Sequence, residues 1–442
     1  MKNSFQLPLF LITPLYFLGL LFIAYILPRE AFFYNLMAFS LCFVLYLALY
    51  QKVKLNQLSL KYGLVISIFA RLLLLFAIPS LSDDFYRYFF DGHLILKGIN
   101  PYAYLPEELV KDQILEGSYL YDLFKGMNSP EYYSVYPPLH QLFFALTALS
   151  GERLLGNLLI LRTIIIAFDL LNIFLVYQLL KMWSMPGHRV ILYTLNPLVI
   201  LELTGNLHFE GMVLTGLLAV LYFFEKQRLR MASAAWAWAL GIKLTPLMLG
   251  PLIWRKAGQS KFSLAFLIWS ALFIALVLGL LLIDKSYLNF WQSIRLYSIS
   301  FEFNASIYYL IRYISAFFMD YNPIVYVGPF LTALTFVLVL VLSFFIHLKN
   351  GKELALGMLW VYLVYFLFQT VVHPWYLIPA FGLSVLTGNR VFLVWTGLVF
   401  LSYSAYLEGG VDENSLLLLL QYGLLFGSVF LELKKLRNPG LI

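Results

Sequence analysis

Two adjacent carboxylates, Asp83 and Asp84, directly follow the third long apolar run of the chain. At a membrane boundary such a pair is costly to desolvate, and mutual repulsion raises the pKa of one member. A carboxylate with a raised pKa can take a proton from a hydroxyl group and so act as a general base. A purely structural alternative is that the pair, preceded by Ser82, caps a helix that begins near Phe85.

The segment that follows this pair predicts a surface that binds sugar. Residues 81–136 hold nine of the 23 acidic residues and only four of the 30 basic residues of the chain. Aromatic rings can stack on the CH faces of a sugar, while carboxylates and amides bond to its hydroxyl groups. The aromatic and amide residues that we expect to contact the sugar or the acceptor here are Tyr86, Asn100, Tyr102 and Tyr136.

Isolated cations inside apolar runs are candidates for binding a phosphate. Lys243 lies in such a run beside Pro246, where it could hold a lipid phosphate and stabilise charge on a leaving group, or simply snorkel to an interface. Arg71 is either a second phosphate contact or the partner of Asp169. Arg312 belongs to a basic, aromatic stretch within 284–323 that beside a membrane indicates a surface for lipid phosphate.

Two further polar patches are expected on the same side as Asp84. His208 and Glu210 lie at an outward turn, where they either bind sugar hydroxyls or are merely solvated. The patch formed by His373, Trp375 and Tyr376 either belongs to the site or anchors the chain at the interface. Carboxylates and imidazoles also bind divalent ions, but nothing in the spacing of these residues demands a metal, and we expect no required cofactor.

The elements that position these residues are predicted to be membrane helices in a single unit, 1–442. The 442 residues are 62% hydrophobic and 12% charged, against roughly 25% charged in soluble proteins. The run from Leu7 to Leu27 is long enough to span, and it is interpreted as a span and not as a cleaved signal peptide. The single cysteine, Cys42, excludes an intrachain disulfide.

Basic residues collect in short loops, which places those loops in the cytoplasm. They include Lys261 and Arg390, whereas the connections 81–136, 204–210, 284–323 and 408–414 are placed outside. About twelve spans follow, with both termini cytoplasmic: 8–27, 31–50, 62–80, 157–180, 189–204, 208–224, 262–283, 324–346, 353–372, 374–388, 391–407 and 415–433.

Two stretches do not fit as simple spans. Residues 137–150 are too short, and residues 231–253 lie between two basic loops that should share one side. We interpret both as re-entrant or broken helices, which are tolerated at membrane depth only inside protein or beside a wet cavity. The alternative is that one of the two basic loops lies outside, contrary to the rule that basic loops are cytoplasmic. The outer segment 81–136 is expected to lie on the membrane surface as interfacial helices.

Five stretches in chain order resemble the polyprenol-phosphate-mannose-dependent mannosyltransferases, which are integral membrane enzymes of the type C glycosyltransferase (GT-C) fold. Together they cover residues 82–376, and no single one is specific. They are Ser82-Asp83-Asp84-Phe85-Tyr86-Arg87-Tyr88 with Gly92 and Lys97-Gly98-Ile99-Asn100-Pro101-Tyr102, then Tyr136-Pro137-Pro138-Leu139, Asn196-Pro197 with Gly205-Asn206-Leu207-His208-Phe209-Glu210, Gly241-Ile242-Lys243-Leu244-Thr245-Pro246, and His373-Pro374-Trp375-Tyr376.

The resemblance implies an inverting transfer of a sugar, with mannose expected, from a polyprenyl phosphate to an acceptor glycan or lipid on the outer side. The acidic residue of the family motif falls on Asp84, which would be the base, with Asp83 as its neighbour. The chain departs from the family at His208-Phe209-Glu210, where the family has His-Asn-Asp. That departure leaves the acceptor contacts and the identity of the sugar open.

Two other classes of protein could use the same cavity. One is a transporter or flippase of lipid-linked saccharides, and the other is an outer-face glycan polymerase or ligase. The large single outer loop and the lack of a visible repeat favour the transferase over the transporter. The partners expected are the lipid-linked donor, the acceptor and membrane lipid, without nucleic acid, in the inner membrane of a bacterium.

Overall fold

The structure is a computed structural model that describes residues 8–111, 118–259, 263–407 and 411–437. Within those ranges every regular element is a helix, which confirms the predicted all-α class. The described part contains one isolated bridge, between Phe303 and Val371. Lys261, residues 112–117 of the outer loop and residues 408–410 of the last outer connection lie outside the described residues.

The described residues of the first half of the chain form twelve α-helices. They are α1 Leu9–Tyr25, α2 Phe32–Lys54, α3 Leu60–Leu73, α4 Asp84–Leu96, α5 Pro106–Lys111, α6 Tyr119–Gly126, α7 Pro138–Ala148, α8 Leu154–Met182, α9 Val190–Thr194, α10 Pro197–Val199, α11 Glu210–Glu225 and α12 Leu229–Ile242. A 3-10 turn, Gly187–Arg189, precedes α9, and a π-helix, Ile200–Gly205, extends α10.

In the second half, the part that the structure describes adds nine α-helices and four 3-10 segments. The α-helices are α13 Gly250–Gly258, α14 Ser263–Leu278, α15 Ser286–Ile299, α16 Ile307–Ser315, α17 Ile324–Phe345, α18 Gly351–Phe368, α19 Ile378–Thr387, α20 Val391–Leu398 and α21 Ser415–Arg437. The 3-10 segments are Thr245–Leu249, Gly279–Lys285, Pro374–Leu377 and Val399–Tyr406.

Six helices of the described part are long and apolar enough to cross a membrane: Phe32–Lys54, Leu154–Met182, Ser263–Ile299, Ile324–Phe345, Gly351–Phe368 and Ser415–Lys435. A seventh crossing results if the bent pair Pro197–Gly205 and Glu210–Glu225 forms one span. The chain is therefore a polytopic, integral membrane protein. The other predicted spans fall on shorter helices, such as the 14-residue α3, so the number twelve stays a prediction.

The predicted break within 231–253 is confirmed. Helix α12 ends at Ile242, and Lys243 adopts an extended conformation before the backbone resumes as a 3-10 turn and then as α13. A second break separates Pro197–Gly205 from Glu210–Glu225, which meet at a bend of 115°. The predicted end of a span near residue 283 also agrees with the structure, because Ile283 and Asp284 leave the helical conformation.

Helix α4, the longest element of the outer loop, is enclosed by protein and does not lie open on a membrane surface as expected. Its residues from Arg87 to Leu94 are all buried. The physical reason is a close approach to α7, where a side chain on Gly92 would overlap the backbone of Phe144. The outer loop is therefore anchored in the core through α4.

Three buried charges, which we call the sealed group, lie where the first spans meet α8. Arg71 pairs with Asp169 at 2.6 Å, and both side chains are fully buried. Arg162 instead donates to backbone carbonyls, among them Thr204 and Ala77 at 2.7 and 2.6 Å. These residues are therefore paired with each other or with nearby backbone.

Cys42 is fully buried on α2. Its sulfur lies 3.6 Å from the carbonyl oxygen of Tyr16, and a side chain on Gly19 would collide with it. Helices α1 and α2 are therefore packed directly around the thiol.

Candidate active site

Asp84 is the first residue of α4 and is only partly buried. Its backbone amide lies 3.3 Å from the hydroxyl of Ser82, and the amide of Asn128 donates to its carboxylate at 3.0 Å. Burial raises the pKa of Asp84, while the bond from Asn128 and the charge of Lys243 lower it by less. The result is a carboxylate with a pKa above its usual range, as a general base requires.

The loop that carries Asn128 is fixed by Arg87. This guanidinium pairs with Asp91 at 2.7 Å and donates to the carbonyls of Ser129 and Tyr132 at 3.0 and 2.8 Å. Because Arg87 lies one turn after Asp84 on α4, it brings Asn128 to the carboxylate.

Asp83 differs from its neighbour, because its carboxylate is held by Arg29 at 2.5 Å. Asp83 is the residue before α4, but its side chain makes no capping hydrogen bond. The capping alternative therefore does not describe the pair, and Asp84 is the member left without a cation bound directly to it among the described residues.

Lys243 lies at the break after α12, and Glu210 begins α11 after the 115° bend. The two side chains meet at 2.5 Å, and the ammonium lies 3.7 Å from the ring centre of Tyr376. Leu207 makes the tight turn into this position with φ of 66°. Both partners of the ion pair thus depend on interrupted helices.

A small cleft opens beside this ion pair. Its lining combines the ion pair with apolar and aromatic side chains: Glu210, Val213, Lys243, Thr245, Tyr362, Phe366, Tyr376 and Pro379. Lys243 keeps 30% of its side chain exposed, whereas Glu210 keeps 6%. The charges of both residues also act on Asp84. We call Asp84, Glu210, Lys243 and Tyr376 the cleft group.

The His373 patch and His208 meet in a continuous stack. The ring of His208 lies 3.7 Å from that of Trp375, which in turn lies 4.4 Å from His373. The buried carboxylate of Glu202 lies next to His208 and accepts a hydrogen bond from the hydroxyl of Tyr403 at 2.6 Å. Sequence reasoning missed this residue. Only its position as a charge inside an apolar run could have indicated it.

The side chains of two expected sugar contacts, Asn100 and Tyr102, are bound to protein. Asn100 donates to Ser286 at 2.8 Å, and its side-chain oxygen accepts from the amide of Tyr102 at 3.0 Å. The hydroxyl of Tyr102 donates to the carbonyl of Tyr136 at 2.6 Å. These residues tie the outer loop to α15, whereas Tyr86 packs over Gly126 and stays partly exposed.

Two of the three cations expected at a phosphate are placed elsewhere. Arg71 belongs to the sealed group, where its pairing with Asp169 follows the other alternative that the sequence left open. Arg312 pairs with Glu302 at 2.6 Å on α16 and is 45% exposed. Lys243 is the cation that lines the cleft.

The described residues include no group of three or more His, Cys, Asp or Glu side chains arranged to hold a metal ion. Asp84, His208, Glu210 and His373 therefore do not form a metal site in this structure. The expectation that no metal is required remains a prediction.

Comparison with known proteins identifies the family. The sequence profile described as alpha-(1->6)-mannopyranosyltransferase, N-terminal domain, matches residues 24–257. This is more than half of the 442 residues. The chain belongs to the alpha-(1->6)-mannopyranosyltransferase family. Comparisons with curated proteins and with solved structures give no significant match.

Membership of the alpha-(1->6)-mannopyranosyltransferase family confirms the resemblance found in the sequence and makes the protein a membrane glycosyltransferase. The matched segment contains Asp84, Glu210 and Lys243. It ends before Tyr376, so the last member of the cleft group comes from the part of the chain beyond the match.

Proposed function

We propose that this protein transfers mannose from a polyprenyl-phosphate-linked donor to a hydroxyl of an acceptor glycan or lipid, with Asp84 as general base. The observation that carries the proposal is the cleft group: a carboxylate with a raised pKa lies within electrostatic reach of an ion pair that lines a cleft. A member of a mannosyltransferase family needs both a base and a cation near the leaving group.

The reaction is a single displacement at C1 of mannose. Asp84 takes the proton of the acceptor hydroxyl as its oxygen forms the new bond to C1. The bond from C1 to the phosphate oxygen breaks, and the electron pair leaves with the polyprenyl phosphate. Attack opposite the leaving group inverts the configuration at C1, and Asp84 later releases its proton to water.

Lys243 is the residue that we assign to the leaving phosphate. Its side chain is 30% exposed, so a lipid phosphate can approach it, and the ring of Tyr376 packs against the ammonium from one side. A fixed cation that meets the charge as it develops lowers the barrier without reorganising solvent. Glu210, His208 and Trp375 are assigned to the sugar or the acceptor.

The architecture that we propose is GT-C-like, with about twelve crossings and the active site on the non-cytoplasmic side of a bacterial inner membrane. Basic loops alternate with acidic or mixed ones along the sequence, which supports this orientation. The broken helices at Lys243 and before Glu210 support a cavity within the membrane part of this architecture, because irregular backbone at membrane depth needs a cavity or surrounding protein.

The decisive experiment gives the purified full-length protein polyprenyl-phosphate mannose and a panel of mannoside acceptors. Transfer that depends on Asp84 is the expected result, and nuclear magnetic resonance of the product reports the inversion. A nucleotide-linked mannose and a polyprenyl diphosphate donor serve as controls. Transfer only from the diphosphate would indicate a ligase, and lipid translocation without turnover would indicate a flippase. Either result would overturn the proposal.

A further inference from the structure

The carbonyl of Ile242, at the end of α12, needs a hydrogen-bond donor from outside its own helix. In a continuing helix the amide four residues later would donate to it. That residue is Pro246, which has no amide hydrogen. A buried carbonyl left without a partner is destabilising, so the break at Lys243 depends on a donor from elsewhere.

His140 supplies that donor. Its Nδ1 lies 2.9 Å from the carbonyl oxygen of Ile242. A carbonyl oxygen only accepts, so the proton of the imidazole must be on Nδ1. Its Nε2 is buried without a hydrogen-bond partner in the described part of the chain. The imidazole is therefore neutral and makes its hydrogen bond through Nδ1 alone.

The ring of His140 is held in one orientation by packing. It is 4% exposed, and its centre lies 3.8 Å from that of Phe209, next to Glu210. The rings of Phe144 and Tyr136 lie 4.7 and 4.9 Å away. One imidazole thus contacts both breaks that supply the ion pair of the cleft.

The backbone around this hydrogen bond is also closely packed. A side chain on Gly241 would come within 2.9 Å of Leu139, the residue before His140. Helix α7 therefore packs directly against the last turn of α12 through the side chain of Leu139.

We infer that His140 is a positioning residue for the donor phosphate: it holds the end of α12 so that Lys243 is directed into the cleft beside Glu210. The inference rests on the proposed function, because it takes Lys243 as the cation that binds the phosphate. His140 itself touches no reacting atom. The residue belongs to none of the motifs that carry the family resemblance.

The test compares His140→Asn with His140→Gln in the full-length protein. The side-chain nitrogen of asparagine can occupy the place of Nδ1, whereas that of glutamine reaches toward the place of Nε2. For each variant, the KM for polyprenyl-phosphate mannose, kcat, thermal stability and direct binding of polyprenyl phosphate are measured.

His140→Asn is expected to keep donor KM and lipid phosphate affinity within about 3-fold of wild type. His140→Gln should weaken both by about 5- to 10-fold, the usual value of one lost hydrogen bond, with a smaller change in kcat. In a Lys243→Met background the difference between the two variants should disappear, which a purely structural role would not produce.

The outcomes separate the two proposals. Equal donor KM and equal lipid phosphate binding in the asparagine and glutamine variants would overturn the role of His140 and leave the proposed function standing. A difference that persists without Lys243 would overturn it in the same way. Wild-type protein that neither binds polyprenyl phosphate nor uses its mannose would overturn both.

Discussion

The sealed group and the cleft group each contain a short ion pair, but the two ion pairs differ in the backbone that positions them and in their exposure. Arg71 and Asp169 project from regular helices and are fully buried. Lys243 and Glu210 stand at two breaks, and their ion pair borders a cleft. The distances, 2.6 and 2.5 Å, do not distinguish them.

The difference teaches that a charge inside a membrane run is not by itself a functional residue. A guanidinium in a regular helix can find a neighbouring acceptor for every nitrogen, as Arg162 does with the carbonyls of Thr204, Leu75 and Ala77. A charge at a helix break, such as Lys243, has room beside it. Only the second arrangement leaves a site to which a substrate can bind.

The comparison is tested most strongly by Asp84→Asn in the cleft group. Removing the base should lower turnover by about 10²- to 10⁴-fold, while the free energy of unfolding changes by less than about 1 kcal/mol. Asp122→Asn, on an exposed position of the same outer loop, is the matched control. Assays of mannosyl transfer check the result, and retention of more than a tenth of the activity would contradict it.

A substitution in the sealed group should instead lower the stability of the protein and leave its activity nearly unchanged. Arg71→Met leaves Asp169 as an unpaired buried carboxylate, and the free energy of unfolding should fall by about 3–5 kcal/mol. Activity per folded molecule should stay within about 3-fold of wild type. Denaturation in detergent measures the first quantity, and adding Asp169→Leu should restore much of the loss. If the variant has the stability of wild type and a raised KM for the donor, Arg71 instead contacts the donor phosphate.

Lys243→Met should raise the KM for the lipid-linked donor by about 10- to 100-fold, the value of a charge-assisted hydrogen bond. Lys125→Met is a matched control, because Lys125 also lies over a tyrosine ring, at 4.2 Å from the centre of Tyr121. Steady-state kinetics at varied donor concentration measures this KM. If Lys243→Met and Lys125→Met have the same KM for the donor, Lys243 does not bind the donor phosphate.

The smallest expected effect is a shift in pH dependence. Asp84 accepts a proton only when ionised, so activity should fall as the pH drops through its raised pKa, above the value of about 3.9 for an exposed aspartate. Asn128→Ala removes a bond that lowers this pKa, and the acidic limb should move to higher pH by less than about one unit. A shift to lower pH would show that another group controls the limb.

Much of the candidate site could be predicted from the sequence, because the members of the cleft group are polar residues inside apolar runs or at their ends. Asp84, Glu210, Lys243 and Tyr376 are of that kind. The break around Lys243 was also predictable, since the stretch 231–253 did not fit the alternation of basic loops. Family membership was predictable from five ordered motifs.

Other residues could not be placed from the sequence alone. His140 looks like an ordinary core histidine, because its role depends on a carbonyl 102 positions away. Asn100 and Tyr102 have the chemistry of sugar contacts, but their partners on α15 and near Tyr136 are distant in the chain. A hydropathy profile likewise locates the apolar runs but does not show which of them form bent or broken helices.

The burial of Cys42 makes the wild-type chain a ready background for chemical labelling. Its thiol is the sole one in the sequence, and helices α1 and α2 enclose it. A cysteine introduced at Asp122 would then be the one thiol open to a maleimide that cannot cross a bilayer. Labelling of intact cells would report which face of the membrane carries the outer loop, without first replacing the native residue.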